Sequence, residues 1–316
     1  MLGFNFNFFN KAKHCFTSLS DFINSNFLCG MGNVALLTKS RIDPKDYGRI
    51  YSHWGTGNID SILYANRRNN MKGMILAGGL ATRLRPLTSV TNKHLLPIYN
   101  KPMIYYPIEA MARSGIKEVL LTSSPDHAGH FENLLGGGEE FGLKLFYAVQ
   151  ENPKGGISDA IMLAEEFAKN EKILVVLGDN IFGFNLKNEV EKFEKKEKGA
   201  MVFGIKMPTE SGQYGVIEMD KDGKVISIEE KPEHPKSDIA QTGIYMYDDK
   251  VFEFIKNLTP SARGELEVTD LNNFYVREGS MFCSLIDWWI DAGTSFDELL
   301  RANNLVAEKV RQGELK

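Results

Sequence analysis

Residues 173–177 read Ile-Leu-Val-Val-Leu, a near-continuous aliphatic run closed by Gly178, Asp179 and Asn180. A strand that is apolar at every position needs cover on both faces, and that points to a mostly parallel sheet between helices. Neighbouring segments agree. "MKGMILAG" from Met71, "KEVLLTSS" from Lys117 and "AMVFGIKM" from Ala200 are further short strand patterns. Helical patterns lie between them. "MIYYPIEAMARSGI" spaces Ile104, Ile108 and Met111 along one face and stops at Gly115. "SDAIMLAEEFAKN" reads as a helix capped by Ser158 or Asp159, and "NLKNEVEKFEKKEKG" as an amphipathic helix burying Leu186, Val190 and Phe193. This alternation predicts an α/β, Rossmann-like fold with a mostly parallel sheet flanked by helices.

Later segments break the alternation. "YGVIEMDKDGKVISIEEKP" is two strands around Asp222-Gly223, a hairpin signal. "QTGIYMYD" is a strand, "VFEFIKNL" a helix, and a further helix starts at Val268. "DWWIDAGT" is a short strand ending in an acid and a glycine, before a last helix in "TSFDELLRANNLVAEKVRQG". The expectation is one domain over 71–316 with an antiparallel hairpin insertion. Residues 1–70 open with "MLGFNFNFFN" and hold no sustained period. They lack the ordered basic, apolar and small-residue regions of a targeting peptide. A poorly ordered extension is expected there, or sequence upstream of a true start at Met71.

Composition narrows the partners. The 316 residues carry a net charge of -4, so no basic excess favours nucleic acid. No apolar run approaches the ~20 residues that span a membrane. Cys15, Cys29 and Cys283 are too scattered for a disulfide framework or a zinc site, as in a reducing cytoplasm.

In such sheets ligands sit outside the carboxyl ends of the strands, which gathers Gly78-Gly79, Asp179 and Asp291 on one rim. Gly78 and Gly79 let backbone N–H groups approach an anion, and Arg83 and Lys93 add charge. Taken alone, the loop serves equally as a tight turn with solvated basic residues. It is neither a P-loop nor a G-x-G-x-x-G fingerprint. Asp179 and Asp291 can each hold Mg²⁺ or merely cap a turn. Glu230 and Lys231 can hold a hydroxyl and a phosphate, or form a surface ion pair. Arg263 lies in a loop pattern, and Gln150 offers a donor beside an acceptor, as a base edge requires.

Together "LAGGLATRLRPLT", "KHLLPIYNKPMIYYPIEAM", "LVVLGDNIFG", "YGVIEMDKDGKVISIEEKPEHPKS", "PSARGELEVTDLNN" and "WWIDAGT" resemble the sugar nucleotidyltransferases, in family order from Met71 nearly to the last residue. The resemblance implies transfer of a nucleotidyl group from dTTP, or alternatively UTP, to a sugar 1-phosphate, supporting deoxysugar synthesis of the rhamnose type. It implies that Leu76, Gly78, Gly79, Gln150, Gly155, Gly156 and Asp179 bind the nucleotide, with Gln150 reading the pyrimidine. Arg83, Lys93 and Lys231 take catalytic roles, and Asp179 and Asp291 hold Mg²⁺. Tyr214, Gly215, Glu230, Lys231, Thr242 and Arg263 bind the sugar phosphate, and Gly243 lines its pocket. A homo-oligomer is expected. Ala81 stands where the family has a third glycine, Gly137 where an aspartate is common, and "NPKGGISDA" is one residue longer than the family pattern. Long family members continue past "VRQGELK" with helices used in assembly and feedback. A nucleotide-sensing homologue without turnover is disfavoured because both acids and both basic residues are present. A nicotinamide-dependent dehydrogenase is disfavoured because its fingerprint is absent.

Overall fold

The computed structural model describes residues 50–52, 71–207 and 211–315, and strands and helices alternate through residues 72–206. In order these are β1 (Ile50–Ser52), β2 (Lys72–Ala77), β3 (Pro97–Ile98), β4 (Lys101–Pro102), α1 (Tyr105–Ser114), β5 (Glu118–Ser123) and α2 (Ala128–Leu135). Next come β6 (Lys144–Val149), α3 (Gly156–Met162), α4 (Glu165–Ala168), β7 (Ile173–Leu177), β8 (Asn180–Phe182), α5 (Lys187–Lys195) and β9 (Ala200–Lys206). The hairpin β10 (Gly215–Met219) and β11 (Val225–Glu230) precedes β12 (Ile239–Tyr247) and α6 (Val251–Lys256). The chain then forms α7 (Val268–Arg277), β13 (Met281–Leu285), β14 (Trp289–Asp291) and α8 (Phe296–Arg311).

Strands β6, β5, β2 and β7 lie side by side and parallel. The two-residue period sends alternate side chains to opposite faces. Ile75, Leu174 and Val176 join Ile108, Met111, Phe131 and Phe193 on one face, under α1, α2 and α5. Met74, Leu76 and Val175 join Ile161, Phe252, Leu271 and Tyr275 on the other, under α3, α6 and α7. Burying each such aliphatic side chain contributes about 1.5–3 kcal/mol, which is why this run forms a central strand.

Beyond β7 the sheet turns antiparallel. The nine residues of β12 are buried throughout and pair with β7, β9 and β10. Between Gln241 and Tyr245 its register against β9 slips, a bulge centred on Thr242-Gly243. β13 adds parallel to β9, and β8 pairs with β14 in a separate two-stranded sheet. Ser295 caps α8, its hydroxyl accepting from the Glu298 N–H at 3.1 Å. Ala302 and Val306 of that helix pack with Ile98, Ile181 and Ile290, bracing β14.

Two expectations change. The helix predicted from Ser158 or Asp159 starts earlier, at Gly156, with Gly155 in the capping position. Gly156 adopts φ +88°, and Asp159 points instead to Gln150. The same pattern also divides, because 3-10-type bonds from Leu163 and Ala164 to Ala160 and Ile161 end α3 before α4 begins. Of residues 1–70, Ile50–Ser52 adds an antiparallel edge strand to β6, and the rest lies outside the described residues. Among the described residues no helix is long and apolar enough to cross a membrane.

Candidate active site

The loop after β2 begins with Gly78 and Gly79, the latter at φ +90°. Ala81 takes φ 44°, a conformation that costs a non-glycine residue energy, at the position where a third glycine was noted as usual. Its carbonyl accepts from the Thr88 hydroxyl at 2.7 Å, closing the loop around Arg83.

Lys93 is delivered by a second clip. Asn92 donates to the Ala77 carbonyl at 3.0 Å, and its side-chain oxygen accepts the His94 N–H at 2.9 Å. The same oxygen lies 2.6 Å from His94 Nδ1. The turn carrying Lys93 is therefore tied to the end of β2. His94 is buried against Gly178, where an added Cβ would fall 2.7 Å from the imidazole. Burial, then the Lys93 charge, hold the imidazole down at about 3 from an ordinary 6.5. The folded value lies below the unfolded one, so the unfolded chain gains the proton first on acidification. Stability from this group is complete above pH 6.5 and is lost as pH falls toward about 3, by at most about 1.4 kcal/mol per pH unit. Urea midpoints at pH 7.5 and pH 5 should show this fall, and His94→Asn should flatten it; an unchanged slope would refute the assignment.

The amine of Lys93 bonds to Asp179 Oδ2. Burial alone would lower the ammonium, but Asp179 and Asp291 hold it above its usual value, with Arg83 opposing. Burial would raise Asp179, yet Lys93 beside it keeps the carboxyl below its usual range. Asp291 moves the other way: burial and the Asp179 charge push it up. Register explains their meeting, since Asp291 pairs with Asn180 across β8 and β14, and the Ala292 N–H donates to the Asp179 carbonyl at 2.9 Å. Arg83, Lys93, Asp179 and Asp291 thus form one charged cluster.

Asn180 fixes this cluster and was not foreseen as a site residue. Its amide nitrogen donates to Asp179 Oδ1 at 3.1 Å, and its oxygen accepts from Trp289 Nε1 at 2.6 Å and the Gly243 N–H at 2.8 Å. The bulge in β12 aims that N–H. The available signal was an amide residue directly after Asp179 at the end of the aliphatic run. Thr242, expected in the sugar pocket, spends its hydroxyl on the Phe203 carbonyl at 2.9 Å.

Other predicted residues gather in an open groove of about 500 Å³ lined by Glu230, Lys231, Arg263, Glu267 and Thr269. Glu230 Oε2 accepts from the Thr269 hydroxyl at 2.8 Å. Lys231 sits at φ 45°, its N–H bonded to the Tyr214 carbonyl at 3.1 Å. Tyr214 meets Trp289 edge to face, and Gly215 lies under Gln241 and Glu230. Arg263 forms a two-pronged pair with Glu267, both NH2 contacts at 2.9 Å. Burial first, opposed by a hydrogen bond with Gln241, and then the charges of Glu230, Asp291 and Asp179 raise the hydroxyl of buried Tyr245.

Gln150 follows β6 and lies beside Gly78. It donates to Asp159 Oδ2 at 2.8 Å and to the Gly156 carbonyl at 3.2 Å. Both neighbouring glycines are sterically required: a Cβ on Gly155 would reach 2.2 Å from Asp159, and one on Gly156 2.8 Å from the Leu266 carbonyl. Leu76 turns its side chain into the core, while its carbonyl accepts from the Gly178 N–H at 2.9 Å.

Relatives share this arrangement of sequence. The family described as nucleotidyl transferase matches residues 72–309. A glucose-1-phosphate thymidylyltransferase of Neisseria gonorrhoeae is 45% identical over 228 residues, 71% of this chain and 78% of that protein. One from an Actinoplanes species is 43% identical over 231 residues, 72% of this chain and 75% of the other. A crystal structure of a provisionally named glucose-1-phosphate thymidylyltransferase from Bacillus anthracis, with a sucrose bound, is 45% identical. It matches with a TM-score of 0.70 over 74% of this chain and 94% of that one. With three quarters of the chain inside the family match and relatives at 43–45% identity, this chain belongs to the nucleotidyl transferase family.

Proposed function

We propose that this chain transfers a thymidylyl group from dTTP to glucose 1-phosphate, giving dTDP-glucose and pyrophosphate. The observation that carries the reading is the cluster of Arg83, Lys93, Asp179 and Asp291 beside the Gly78-Gly79 turn, in a chain whose relatives bear that name. A phosphate oxygen of the sugar 1-phosphate attacks the α-phosphorus in line. The bond to the β-phosphate oxygen breaks, and pyrophosphate leaves with its electrons. The nucleophile is already an anion, so no side chain needs to remove a proton. Catalysis rests on positioning and on charge placed in advance. Gly78 and Gly79 present backbone N–H groups to the triphosphate, Arg83 and Lys93 offset charge on the α-phosphoryl and leaving group, and Lys231 aims the attacking phosphate. Glu230, oriented by Thr269, accepts from a sugar hydroxyl.

The two acids fit a divalent cation. Burial first, then the Asp179 charge, push Asp291 up, and Lys93 only partly opposes them. No group of three or more His, Cys, Asp or Glu side chains among the described residues could hold a metal. Two carboxylates suit Mg²⁺, which commonly completes its shell with phosphates and water. Asp179 and Asp291 would hold it, and when bound it supplies electrostatic stabilisation of phosphoryl charge.

A panel of dTTP, UTP, dCTP and dATP against several sugar 1-phosphates, read by pyrophosphate release, tests the reading. Fastest release is expected with dTTP and glucose 1-phosphate; no release with that pair refutes it, and preference for UTP reassigns the base. Lys231→Ala should lower turnover about 10²-fold with the fold intact by circular dichroism, the cost of one preorganised contact. Turnover within a few-fold of wild type would remove Lys231 from this role.

A further inference from the structure

The amide of Gln150 is held in one orientation. Asp159 and the Gly156 carbonyl are acceptors, so the side of the amide facing them must be the NH2 group, and both its hydrogens are engaged. The opposite atom, Oε1, takes no hydrogen bond from any described residue. It lies over Gly78, where an added Cβ would stand only 2.8 Å away. Glycine at that position leaves the oxygen open to the cleft, at the mouth of the turn assigned to the triphosphate. Gln150 itself is buried, 6% exposed, so the oxygen presented there is fixed rather than free to turn.

We propose that Asp159 is a positioning residue that decides which pyrimidines enter: by engaging the Gln150 NH2 group, it leaves a single acceptor oxygen facing the base. Thymine and uracil carry a donor N3–H that meets this oxygen. Cytosine carries a lone pair at N3, so two acceptors would face each other. Without the carboxylate the amide can turn over and offer its NH2 group to cytosine instead. The inference rests on the nucleotide reading above and adds to it a source of discrimination that Gln150 alone does not have.

The test compares kcat/KM for dTTP, UTP and dCTP in the wild-type chain and in Asp159→Ser, by pyrophosphate release. The dTTP-to-dCTP ratio should fall tenfold or more, with the dTTP loss chiefly in KM. The dTTP-to-UTP ratio should stay within twofold, because both bases carry the N3–H; a general loosening of the site would not separate the two ratios. Asp159→Asn, which keeps an acceptor oxygen, should restore most of the dTTP-to-dCTP ratio. An unchanged dTTP-to-dCTP ratio in folded Asp159→Ser overturns the proposal. Should that variant not fold, wild-type enzyme with 3-methyl-dTTP decides: a 10²-fold loss supports the acceptor at Gln150, and equal use of the two overturns it. Wild-type chain that releases pyrophosphate from neither dTTP nor UTP refutes the function itself; activity with unaltered selectivity refutes only the role of Asp159.

Discussion

Asp179→Asn is expected to lower turnover at least 10³-fold. Asparagine keeps the shape of the side chain, so the loss isolates the charge. That charge does two things. It holds Lys93 through a direct ion pair, and with Asp291 it forms the acidic pair proposed to hold Mg²⁺. Removing one preorganised contact typically costs 10²–10³ in rate, and here a contact and a ligand go together. The fold should survive. Breaking a buried ion pair ordinarily costs about 3–5 kcal/mol because a charge is left alone. In this chain Asp291 stands by: burial and then the Asp179 charge raise its carboxyl, so removing that charge makes Asp291 easier to ionise beside Lys93. Pyrophosphate release gives the rate, and a thermal melt gives the stability. Turnover within tenfold of wild type would show that the cluster is not the reacting centre.

Gly293→Ala should be nearly as damaging, at 10²–10³-fold, although the glycine carries no chemistry. Its backbone is packed directly on the ion pair. An added Cβ would fall 2.4 Å from Asp179 Oδ2 and 2.8 Å from Lys93 Nζ. Asp179 cannot yield cheaply: it is tied through Oδ1 to Asn180, and its own Cβ would stand 3.0 Å from the added one. Displacement of about 1 Å in such a site can cost 10²-fold. The strain should also lower stability by about 1–3 kcal/mol, as overpacking does. Kinetics at saturating substrate with a parallel urea titration measure both, and wild-type turnover in Gly293→Ala would mean that the pair tolerates the shift.

The central strands were legible because Ile173–Leu177 and Met74–Ala77 are apolar at consecutive positions, a pattern that leaves little alternative to double cover. The stop at Gly115 was legible for a similarly local reason, since the residue ends α1 at φ +92°. The start of α3 was not. Ser158 and Asp159 are good caps by type, but Gly156 turns the chain earlier and Gln150 takes the Asp159 carboxylate, a contact nine positions away. Asp179 and Asp291 stood out singly, while their convergence depends on Asp291 registering with Asn180 across 111 positions of chain. The pairing of Arg263 with Glu267 depends on how its loop folds, which residue type alone does not specify.

One feature of the backbone couples the two ends of the cleft. The Leu266 N–H donates to the Gly155 carbonyl at 3.0 Å, and the Ser158 N–H to the Leu266 carbonyl at 3.3 Å. The glycine turn next to Gln150 is therefore sewn to the segment that bears Arg263 and Glu267. Two short backbone bonds thus hold the side proposed for the nucleotide against the side proposed for the sugar phosphate, so a backbone shift at either margin strains these bonds.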